Sequence, residues 1–422
     1  MEEDLGYKMS KNILIIAYKF PPMGGIGTRR WAKFAKYLAR DGYRVHVLTI
    51  KYKYEANVNW YHDIENNENI IIHRINPGYP LWLMELSQNK YISFLQKALN
   101  LMLKRTFFYM DIAQNWAKYM LPKAKEIIKD NDINNVIVTS PPHTIAYYSS
   151  YLKIDLPHIN LIQDFRDNWN DDTPYSYPNT FKFFYQKEKS AYMEWFVVNH
   201  SDYMVNVTQD ITNRTKSKFQ QYSEKFFTIY NGYDNDDIKN LTINTNKSDK
   251  IRIIYAGGLG LGRIEAIKLI MDVLLKYEYQ KRKKIEINIY TSFNNSQLET
   301  KYQKLFDEKI VNFFPMVSPK KIIDIINNHK YCLSVNSPIY SYAFGTKIFD
   351  YMMLKKKIIH ISNGGELSNI LSENKQIVLE YDIQDINRAI ELILECTDSL
   401  NLIEYQDFDI VNLISQYKKL LI

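Results

Sequence analysis

The stretch that decides the fold begins with Ile13-Leu14-Ile15-Ile16-Ala17 and continues as Tyr18-Lys19-Phe20-Pro21-Pro22-Met23-Gly24-Gly25-Ile26-Gly27-Thr28. The apolar run predicts a buried strand. The glycines that follow predict a loop whose backbone can come close to a ligand, and Gly24 and Gly25 are its candidate binding residues. A tight turn with no ligand is the alternative interpretation.

The residues after this loop predict a helix and then a second strand. Apolar side chains recur at the spacing of one helix face at Trp31, Phe34 and Leu38, and Gly42 ends that pattern. A strand is predicted from Val45 to Thr49. Because the first turn of such a helix offers free amide groups to a phosphate or sugar, this βαβ unit predicts a ligand site at its loop.

Length and composition predict a soluble protein of two domains. The chain has 422 residues, of which 46% are hydrophobic, and this length fits two cores better than one. Its two cysteines, Cys332 and Cys396, form no disulfide framework or metal-ligand cluster. Because the first ten residues are polar and acidic and no apolar run reaches membrane-spanning length, we expect a cytoplasmic protein.

Predicted strands and helices alternate along the chain, which is typical of parallel sheets covered on both faces. The stretch 51–110 is predicted to be irregular, and the polar stretch 240–250 is predicted to be a linker. In the first half the predicted elements are a helix near 112–129, strands at 136–140 and 158–162, a helix near 179–198, and strands at 203–207 and 227–230. In the second half they are strands at 252–256, 285–291, 331–335 and 358–361, and helices from 264, from 319 and at 346–354.

Five motifs in the same order resemble those of family-4 glycosyltransferases, retaining enzymes that use nucleotide sugars. They are Tyr18 to Gly27, Thr139-Ser140-Pro141-Pro142-His143, Asp164-Phe165-Arg166-Asp167-Asn168-Trp169, Ile229-Tyr230-Asn231-Gly232-Tyr233-Asp234, and Phe344 to Tyr351. The resemblance implies an α/β protein of the GT-B fold, with two Rossmann-like doubly wound domains facing each other across a cleft. We expect an acceptor domain at 1–240, a nucleotide-sugar domain at 241–400, and a helix within 401–422 that packs back on the first domain.

A second glycine-rich loop, Gly257 to Gly262, follows a predicted strand and leads to Arg263. Its amides, including that of Gly258, and the Arg263 guanidinium are candidates for holding a diphosphate. A dinucleotide-binding loop is the weaker interpretation, because no acidic residue stands clearly at the end of the next strand. A surface position for Arg263 is also open.

The predicted donor helix departs from the family pattern, in which two glutamates flank it. Tyr342 stands at the first of those positions and Asp350 at the second. The resemblance implies that Asp350 binds ribose hydroxyls, while Tyr342 puts the sugar contact in doubt. Lys347, three residues before Asp350, either pairs with it or meets a phosphate. Gly364 and Gly365 open the next helix and are further candidate donors of amide groups.

In the first domain His143 follows a double proline at a strand end, where we expect it to be exposed. It is a candidate for orienting the acceptor or the sugar. Asp164, Arg166 and Asp167 are predicted to form a charged cluster at the next strand end, either to position an acceptor hydroxyl and bind an anionic acceptor or as a structural network. We expect no metal and no cofactor other than the nucleotide-sugar co-substrate.

The formal net charge of +7 favours anionic partners. No nucleic-acid-binding motif is present, so nucleotides and an anionic membrane surface are the better candidates. The segment 81–105 mixes apolar residues with cations, which fits either an interfacial amphipathic segment or a core helix. A peripheral position on the inner face of the membrane is therefore expected.

Taken with the resemblance, these features predict a metal-independent hexosyltransferase. It would move a sugar with retention to a lipid-linked saccharide acceptor in bacterial surface polysaccharide biosynthesis, such as that of capsule or lipopolysaccharide. A non-catalytic GT-B subunit of a transferase complex is one alternative, and a nucleotide-sugar 2-epimerase is another.

Overall fold

The structure, a computed structural model, describes residues 11–24, 26–52, 62–83, 87, 89–105, 110–170, 181–243, 250–339, 342–395 and 403–422. The chain divides into two compact units, residues 1–230 with 413–422 and residues 231–412. The predicted boundary at 240 therefore lies inside the second unit. Tyr233 accounts for this, because its backbone amide bonds Phe408 and its carbonyl accepts from Ile410.

The first unit alternates strands and helices as the sequence predicts. Its elements are β1 (Asn12–Ala17), α1 (Ile26–Arg40), β2 (Arg44–Ile50), β3 (Ile70–Ile75), α2 (Lys90–Arg105), α3 (Ala117–Asp130), β4 (Asn135–Ser140), α4 (Thr144–Asp155), β5 (Asn160–Phe165), α5 (Phe181–Asn199), β6 (Tyr203–Asn206), α6 (Gln209–Lys218) and β7 (Phe226–Thr228). The strands form one parallel sheet in the order β3-β2-β1-β4-β5-β6-β7.

The second unit repeats this architecture. Its elements are β8 (Ile251–Ala256), α7 (Arg263–Lys276), α8 (Tyr279–Arg282), β9 (Ile285–Tyr290), α9 (Glu299–Asp307), β10 (Val311–Phe314), α10 (Pro319–Asn327), β11 (Tyr331–Val335), α11 (Lys347–Met353), β12 (Lys357–Ile361), α12 (Glu366–Glu373), β13 (Ile377–Leu379) and α13 (Ile383–Glu395). The strands form a parallel sheet in the order β10-β9-β8-β11-β12-β13.

Burial explains why apolar runs mark the strands so clearly. All six residues of β4 are buried, as are five of the six in β1. A parallel strand covered by helices on both faces needs apolar residues at nearly every position. In each sheet the order reverses next to the first strand of the unit, and ligands of such sheets bind beyond the carboxyl ends of the strands at this point.

Two sequence predictions are wrong in detail. The stretch 51–110 is not wholly irregular, because it contains β3 and α2; β3 is an edge strand whose half-exposed His73 and Arg74 interrupt the apolar pattern. The strand predicted at 158–162 begins at Asn160 and reaches Phe165, since residues 156–159 form a turn. This shift places Asp164 inside the strand, in register with Thr139 of β4 and Val205 of β6.

The last helix, α14 (Ile410–Lys418), leads the chain back to the first unit. Tyr417 is completely buried there, and its ring stands edge-on to Trp31 and Phe34 of α1 at centroid distances of 5.2 and 5.4 Å. Its hydroxyl donates to the Asp164 carboxylate at 3.0 Å. Asn160 adds a bond from its side-chain amide to the Leu420 carbonyl, at 2.7 Å.

Within the described part of the chain, no helix is long and apolar enough to span a bilayer.

We predict that Tyr417→Phe lowers the free energy of unfolding by about 1–3 kcal/mol, because the buried Asp164 carboxylate loses a donor while the ring packing is kept. Urea denaturation of the purified protein measures this change. Tyr192→Phe is the matched control, since that side chain is 53% exposed, and it should change stability by less than about 0.5 kcal/mol. Equal effects of the two substitutions would contradict the prediction.

Candidate functional site

Asp164 lies at the centre of a buried hydrogen-bond network in the first unit. It is completely buried, and Arg30 donates from Nε to both of its oxygens at 3.2 Å and from Nη2 at 2.8 Å. The Trp31 indole nitrogen donates at 3.0 Å, and Thr139 donates at 3.3 Å. Together with Tyr417, these donors link α1, β4 and α14 to the Asp164 carboxylate on β5.

The sequence predicts a charged cluster of Asp164, Arg166 and Asp167 at the strand end. Asp164 lies inside β5, whereas Arg166 and Asp167 lie beyond its end. Burial lowers the pKa of Arg166, and the charges of Asp167 and Asp164 both act against that shift. Arg30 is the cation paired with Asp164, and it also donates to the carbonyls of Ile229 and Tyr230 at 2.9 and 2.5 Å. Asp164 therefore has a clear structural task, while its predicted action on an acceptor hydroxyl stays a prediction.

His143 is half-buried and does not have the exposure expected from the sequence. Its ring is stacked on Trp169 at a centroid distance of 4.9 Å and an interplanar angle of 8°, and it also stacks on Phe165 at 5.8 Å. Desolvation, together with the nearby Arg166 guanidinium, lowers the pKa of His143 to about 3. The imidazole is therefore neutral at physiological pH, and one of its ring nitrogens is able to accept a hydrogen bond.

The carboxylate of Asp111 fixes the backbone next to His143. It accepts a bond from the backbone amide of Thr144 at 2.9 Å and bonds from the Thr144 hydroxyl and the Ala113 amide. A carboxylate at the first turn of α4 offsets the partial positive charge of that helix end. The start of α4 is thus occupied by the chain itself, and His143 is held at its edge.

The guanidinium of Arg166 lies against the first turn of α1. Its Nε and Nη2 donate to the carbonyls of Ser140 and Pro141 at 3.2 and 2.6 Å. Its Nη1 lies so close to Gly27 that a Cβ atom on this glycine would be 1.8 Å away. Of the two predicted loop glycines, Gly24 is half-buried and Gly25 lies outside the described residues.

In the second unit the loop Gly257 to Gly262 is held by side chains on both sides. The Tyr255 hydroxyl donates to the Gly258 carbonyl at 2.8 Å, and the Ser337 hydroxyl donates to the Leu261 carbonyl at 2.6 Å. Gly262 needs to be glycine, because its φ is +81° and a Cβ would meet Pro338 at 2.9 Å. Gly258 and Gly260, in contrast, have open space on the side where a Cβ would point.

Arg263 is the first residue of α7, and its Nη1 donates to the Gly260 carbonyl at 3.3 Å. The guanidinium therefore lies beside the loop, on a partly exposed side chain, and its binding of a diphosphate stays a prediction. Gly364 and Gly365 also precede a helix, α12, and both have positive φ angles of 85° and 101°. These backbone positions follow β8 and β12 at the carboxyl edge of the sheet.

The predicted donor helix α11 is anchored to the base of the glycine loop. Tyr351 is buried, and its hydroxyl accepts a bond from the backbone amide of Ala256 at 3.3 Å and donates to the Leu333 carbonyl at 3.4 Å. Asp350, 1% exposed, is paired with Lys347 at 2.8 Å. The pairing that the spacing allows is thus present. Tyr342 is buried as well.

Sequence reasoning missed several residues of these sites. Arg30 and Tyr417 were not identified, and Trp31 was identified only as an apolar position of its helix. Nothing in the sequence relates α1 or α14 to a carboxylate in β5. An aromatic pair was also missed at the ends of β9 and β10, where the rings of Tyr290 and Phe314 stack at 4.9 Å and 18°. Phe314 is 38% exposed, so this pair offers a flat apolar face, and only recognition of β10 as a strand could have indicated it.

Comparison with known proteins identifies the fold. No protein-family model matches the sequence, and a search of curated proteins found no match. Solved structures do match over nearly the whole chain. One is a glycosyltransferase from Rickettsia africae, with 16% identity, a TM-score of 0.59 and 97% of each chain covered.

Two further matches have similar scores. WaaG, a glycosyltransferase involved in lipopolysaccharide biosynthesis, has 12% identity and a TM-score of 0.57, with 97% of this chain and 99% of WaaG covered. A UDP-GlcNAc 2-epimerase from Neisseria meningitidis, solved with UDP-GlcNAc bound, has 13% identity and a TM-score of 0.57, with 97% and 98% covered. At these identities the likeness is one of fold, and the chain has the GT-B fold.

Proposed function

We propose that this protein is a glycosyltransferase that binds a nucleotide-sugar donor in its second unit and transfers the sugar to an acceptor bound by its first unit. The observation that carries the proposal is the open loop at Gly258 and Gly260. It lies directly after Ala256, whose amide bonds the helix that bears Asp350. The bound UDP-GlcNAc of the epimerase neighbour supports the choice of a nucleotide sugar as ligand.

On the donor side, the loop amides and the Arg263 guanidinium bind the diphosphate. Asp350 binds the ribose hydroxyls, with Lys347 holding its carboxylate in place. The exposed face of Tyr290 and Phe314 gives a planar base a surface for stacking. In this proposal, positive charge from Arg263 and the amide groups stabilises the leaving diphosphate, so transfer requires no metal ion.

On the acceptor side, neutral His143 accepts a hydrogen bond from the acceptor hydroxyl and orients it. Its low pKa keeps the imidazole neutral at neutral pH, so that a ring nitrogen is available as a hydrogen-bond acceptor. Asp164 supports the site by holding α1 and α14 in position. Transfer proceeds with retention at the anomeric carbon, as the resemblance to family-4 enzymes implies, and the acceptor is a lipid-linked saccharide of a bacterial surface polysaccharide.

The proposed contact with a membrane rests on α2. A helix that packs on a core buries its apolar side chains, whereas α2 exposes many of them. Two of its polar residues face inward: the Gln96 amide is buried and bonds Trp82 and Ser87, and Asn100 donates to the Leu83 carbonyl at 3.0 Å. Its large apolar side chains are exposed, among them Tyr91 (88%), Phe94 (75%), Met102 (61%) and Leu95 (54%).

An apolar helix face of this size is costly in water and is typical of an interfacial helix. Of the two interpretations that the sequence left open for 81–105, the exposed apolar side chains in the described part of α2 favour the interfacial one. Lys90 and Lys97 are exposed on the same helix and complement an anionic lipid surface. We therefore assign α2 to peripheral binding at an anionic bilayer, the place where a lipid-linked acceptor would be met.

We predict that Arg263→Ala weakens binding of a nucleoside diphosphate by about 1.5–3 kcal/mol, because a charged hydrogen bond to the diphosphate is lost. Asp350→Asn should weaken binding of the ribonucleotide more than that of its dideoxy analogue. Isothermal titration of the UDP, GDP, ADP and dTDP series measures both effects. The controls are Arg388→Ala and Asp324→Asn, exposed residues of the same unit. Unchanged affinity in both site variants would contradict the donor site.

We predict that His143→Ala lowers transfer at least about tenfold, or roughly 1.4 kcal/mol of barrier, while nucleotide-sugar affinity stays the same. Release of the nucleotide with an acceptor fraction from the host membrane measures turnover. His158→Ala, an exposed histidine of the same unit, is the control. A wild-type protein that binds the donor and never releases the nucleotide would favour the non-catalytic subunit. Inversion of the configuration at C2 of the sugar would favour the 2-epimerase.

We predict that the protein floats with liposomes containing anionic lipid and that salt weakens this binding, because charge attraction is screened within about 10 Å at 0.1 M. Phe94→Ser with Leu95→Ser should reduce flotation through the apolar face, and changing Lys97, Lys104 and Arg105 to Glu should abolish it. Leu392→Ser, an equally exposed leucine of α13, is the control. Flotation by the triple Glu variant equal to that of the wild type would contradict this role.

A further inference from the structure

The last two residues of the second glycine loop have an unusual backbone. Leu261 and Gly262 both lie in the left-handed region, with φ angles of +55° and +81°. Gly262 adopts this conformation without strain because it has no Cβ atom, whereas a leucine does not. Leu261 is therefore held in a conformation that its own side chain disfavours.

The other left-handed residues of the second unit have an ordinary explanation. Among its described residues other than glycine, they are Lys309, Lys355 and Lys375. Each stands two residues after the end of a helix, α9, α11 or α12, where a left-handed residue commonly completes the last turn. Leu261 instead stands before a helix, α7. Backbone strain of this kind is concentrated at binding and catalytic sites.

The segment 336–338, which follows β11, holds Leu261 in place. The Ser337 side chain is completely buried, and its hydroxyl donates to the Leu261 carbonyl at 2.6 Å. The Pro338 ring lies against Gly262, where a Cβ atom would be 2.9 Å from it. Both left-handed residues are thus fixed by contacts from the same short segment.

This segment is itself anchored to the sheet. The Asn336 amide donates to the Ile361 carbonyl at the end of β12, at 3.0 Å. The Asn336 carbonyl accepts a bond from the hydroxyl of Tyr381, just after β13, at 2.5 Å. The support for the Leu261 carbonyl therefore comes from the neighbouring strands.

The conformation of the loop determines which amide groups are available to a ligand. The Arg263 amide donates to the Gly260 carbonyl at 3.3 Å, so the first residue of α7 is already paired. Within the described ranges, the amides of Gly258, Gly260 and Leu261 donate no hydrogen bond to another residue. Successive amides in a turn of this kind can form a concave site for an anion.

We propose that Leu261 and Ser337 are positioning residues of the donor loop. The Ser337 hydroxyl, acting through the Leu261 carbonyl, keeps Leu261 left-handed and so holds the loop amides in the arrangement that receives the diphosphate. Neither side chain touches the ligand. The loop is organised before the nucleotide sugar arrives, which removes an ordering cost from binding. The inference rests on the proposed function, which names the ligand.

Two substitutions of Leu261 separate backbone conformation from side-chain contact, with isothermal titration of the full chain by UDP, GDP, ADP and dTDP as the measurement. Leu261→Ile stays apolar but is β-branched, which makes the left-handed conformation still less favourable, so binding should weaken about tenfold. Leu261→Asn tolerates this conformation, so it should bind about tenfold more tightly than Leu261→Ile. The opposite order would show direct contact of the side chain with the ligand and would overturn the inference.

Lys309→Ile is the matched control for these substitutions. Lys309 is exposed and has a φ angle of +53°, so its replacement introduces the same backbone strain away from the loop. It should lower the melting temperature and leave nucleotide affinity unchanged. A loss of affinity in Lys309→Ile equal to that in Leu261→Ile would reduce the effect to general stability and overturn the role of Leu261.

Ser337→Ala removes the bond to the Leu261 carbonyl and should weaken nucleoside diphosphate binding about three- to tenfold. Ser201→Ala is the control, because Ser201 is also buried and its hydroxyl donates to the Val197 carbonyl at 2.7 Å in the first unit. Both should lower the melting temperature, and only Ser337→Ala should weaken binding. The loss should shrink when Leu261→Asn is also present, because asparagine needs less help to stay left-handed. Equal affinities in folded Ser337→Ala and Ser201→Ala would overturn the role of Ser337.

Pyrophosphate, titrated in parallel, separates this inference from the proposed function. The variants should rank in the same order for pyrophosphate as for nucleoside diphosphates, because the loop amides bind the same group in both. Pyrophosphate binding in this order, by a protein that binds no nucleotide, would keep the positioning residues and reject the nucleotide-sugar donor. Nucleotide binding that depends on neither residue would keep the donor and reject the positioning role. A wild-type protein that binds neither ligand would overturn both.

Discussion

The buried carboxylate of Asp164 is the interaction on which the first unit depends. A completely buried charge is tolerated only when donors surround it, and here Arg30, Trp31, Thr139 and Tyr417 supply them. Since these donors come from α1, α14 and β4, the carboxylate ties two helices and a neighbouring strand to β5. The same helix α1 carries Gly27, against which the Arg166 guanidinium packs.

In the second unit, neutral hydroxyl groups hold the helix α11 and the glycine loop in place. Tyr351 links α11 to the strands β8 and β11 through its hydroxyl, and Tyr255 and Ser337 hold the glycine loop through theirs. Hydroxyl groups can both donate and accept, so each satisfies backbone atoms that would otherwise be left unpaired at the edge of the sheet. The loop is therefore held by these hydroxyl groups, while Gly258 and Gly260 keep open space where a Cβ would point.

The sequence allowed the alternating architecture to be predicted, because buried parallel strands are continuous apolar runs and glycines mark the loops after them. It did not allow prediction of β3, whose His73 and Arg74 lie at a sheet edge, or of the environment of Asp164, whose partners are far away in the chain. Exposure was the least predictable property. His143 looked exposed beside two prolines, yet Phe165 and Trp169 cover its ring, and only the fold brings those residues to it.

The return of α14 to the first unit affects how the chain acquires its structure during synthesis. Residues 413–422 leave the ribosome only after the entire second unit, yet Tyr417 and the Leu420 carbonyl complete contacts with β5. Until then, the nascent first unit holds a buried carboxylate with one donor missing and leaves Trp31 and Phe34 without their aromatic partner. Domains of a growing polypeptide usually fold in order from the N-terminus. Here the first domain to be made is the last to be finished, which gives it a long period of exposure to chaperones and proteases.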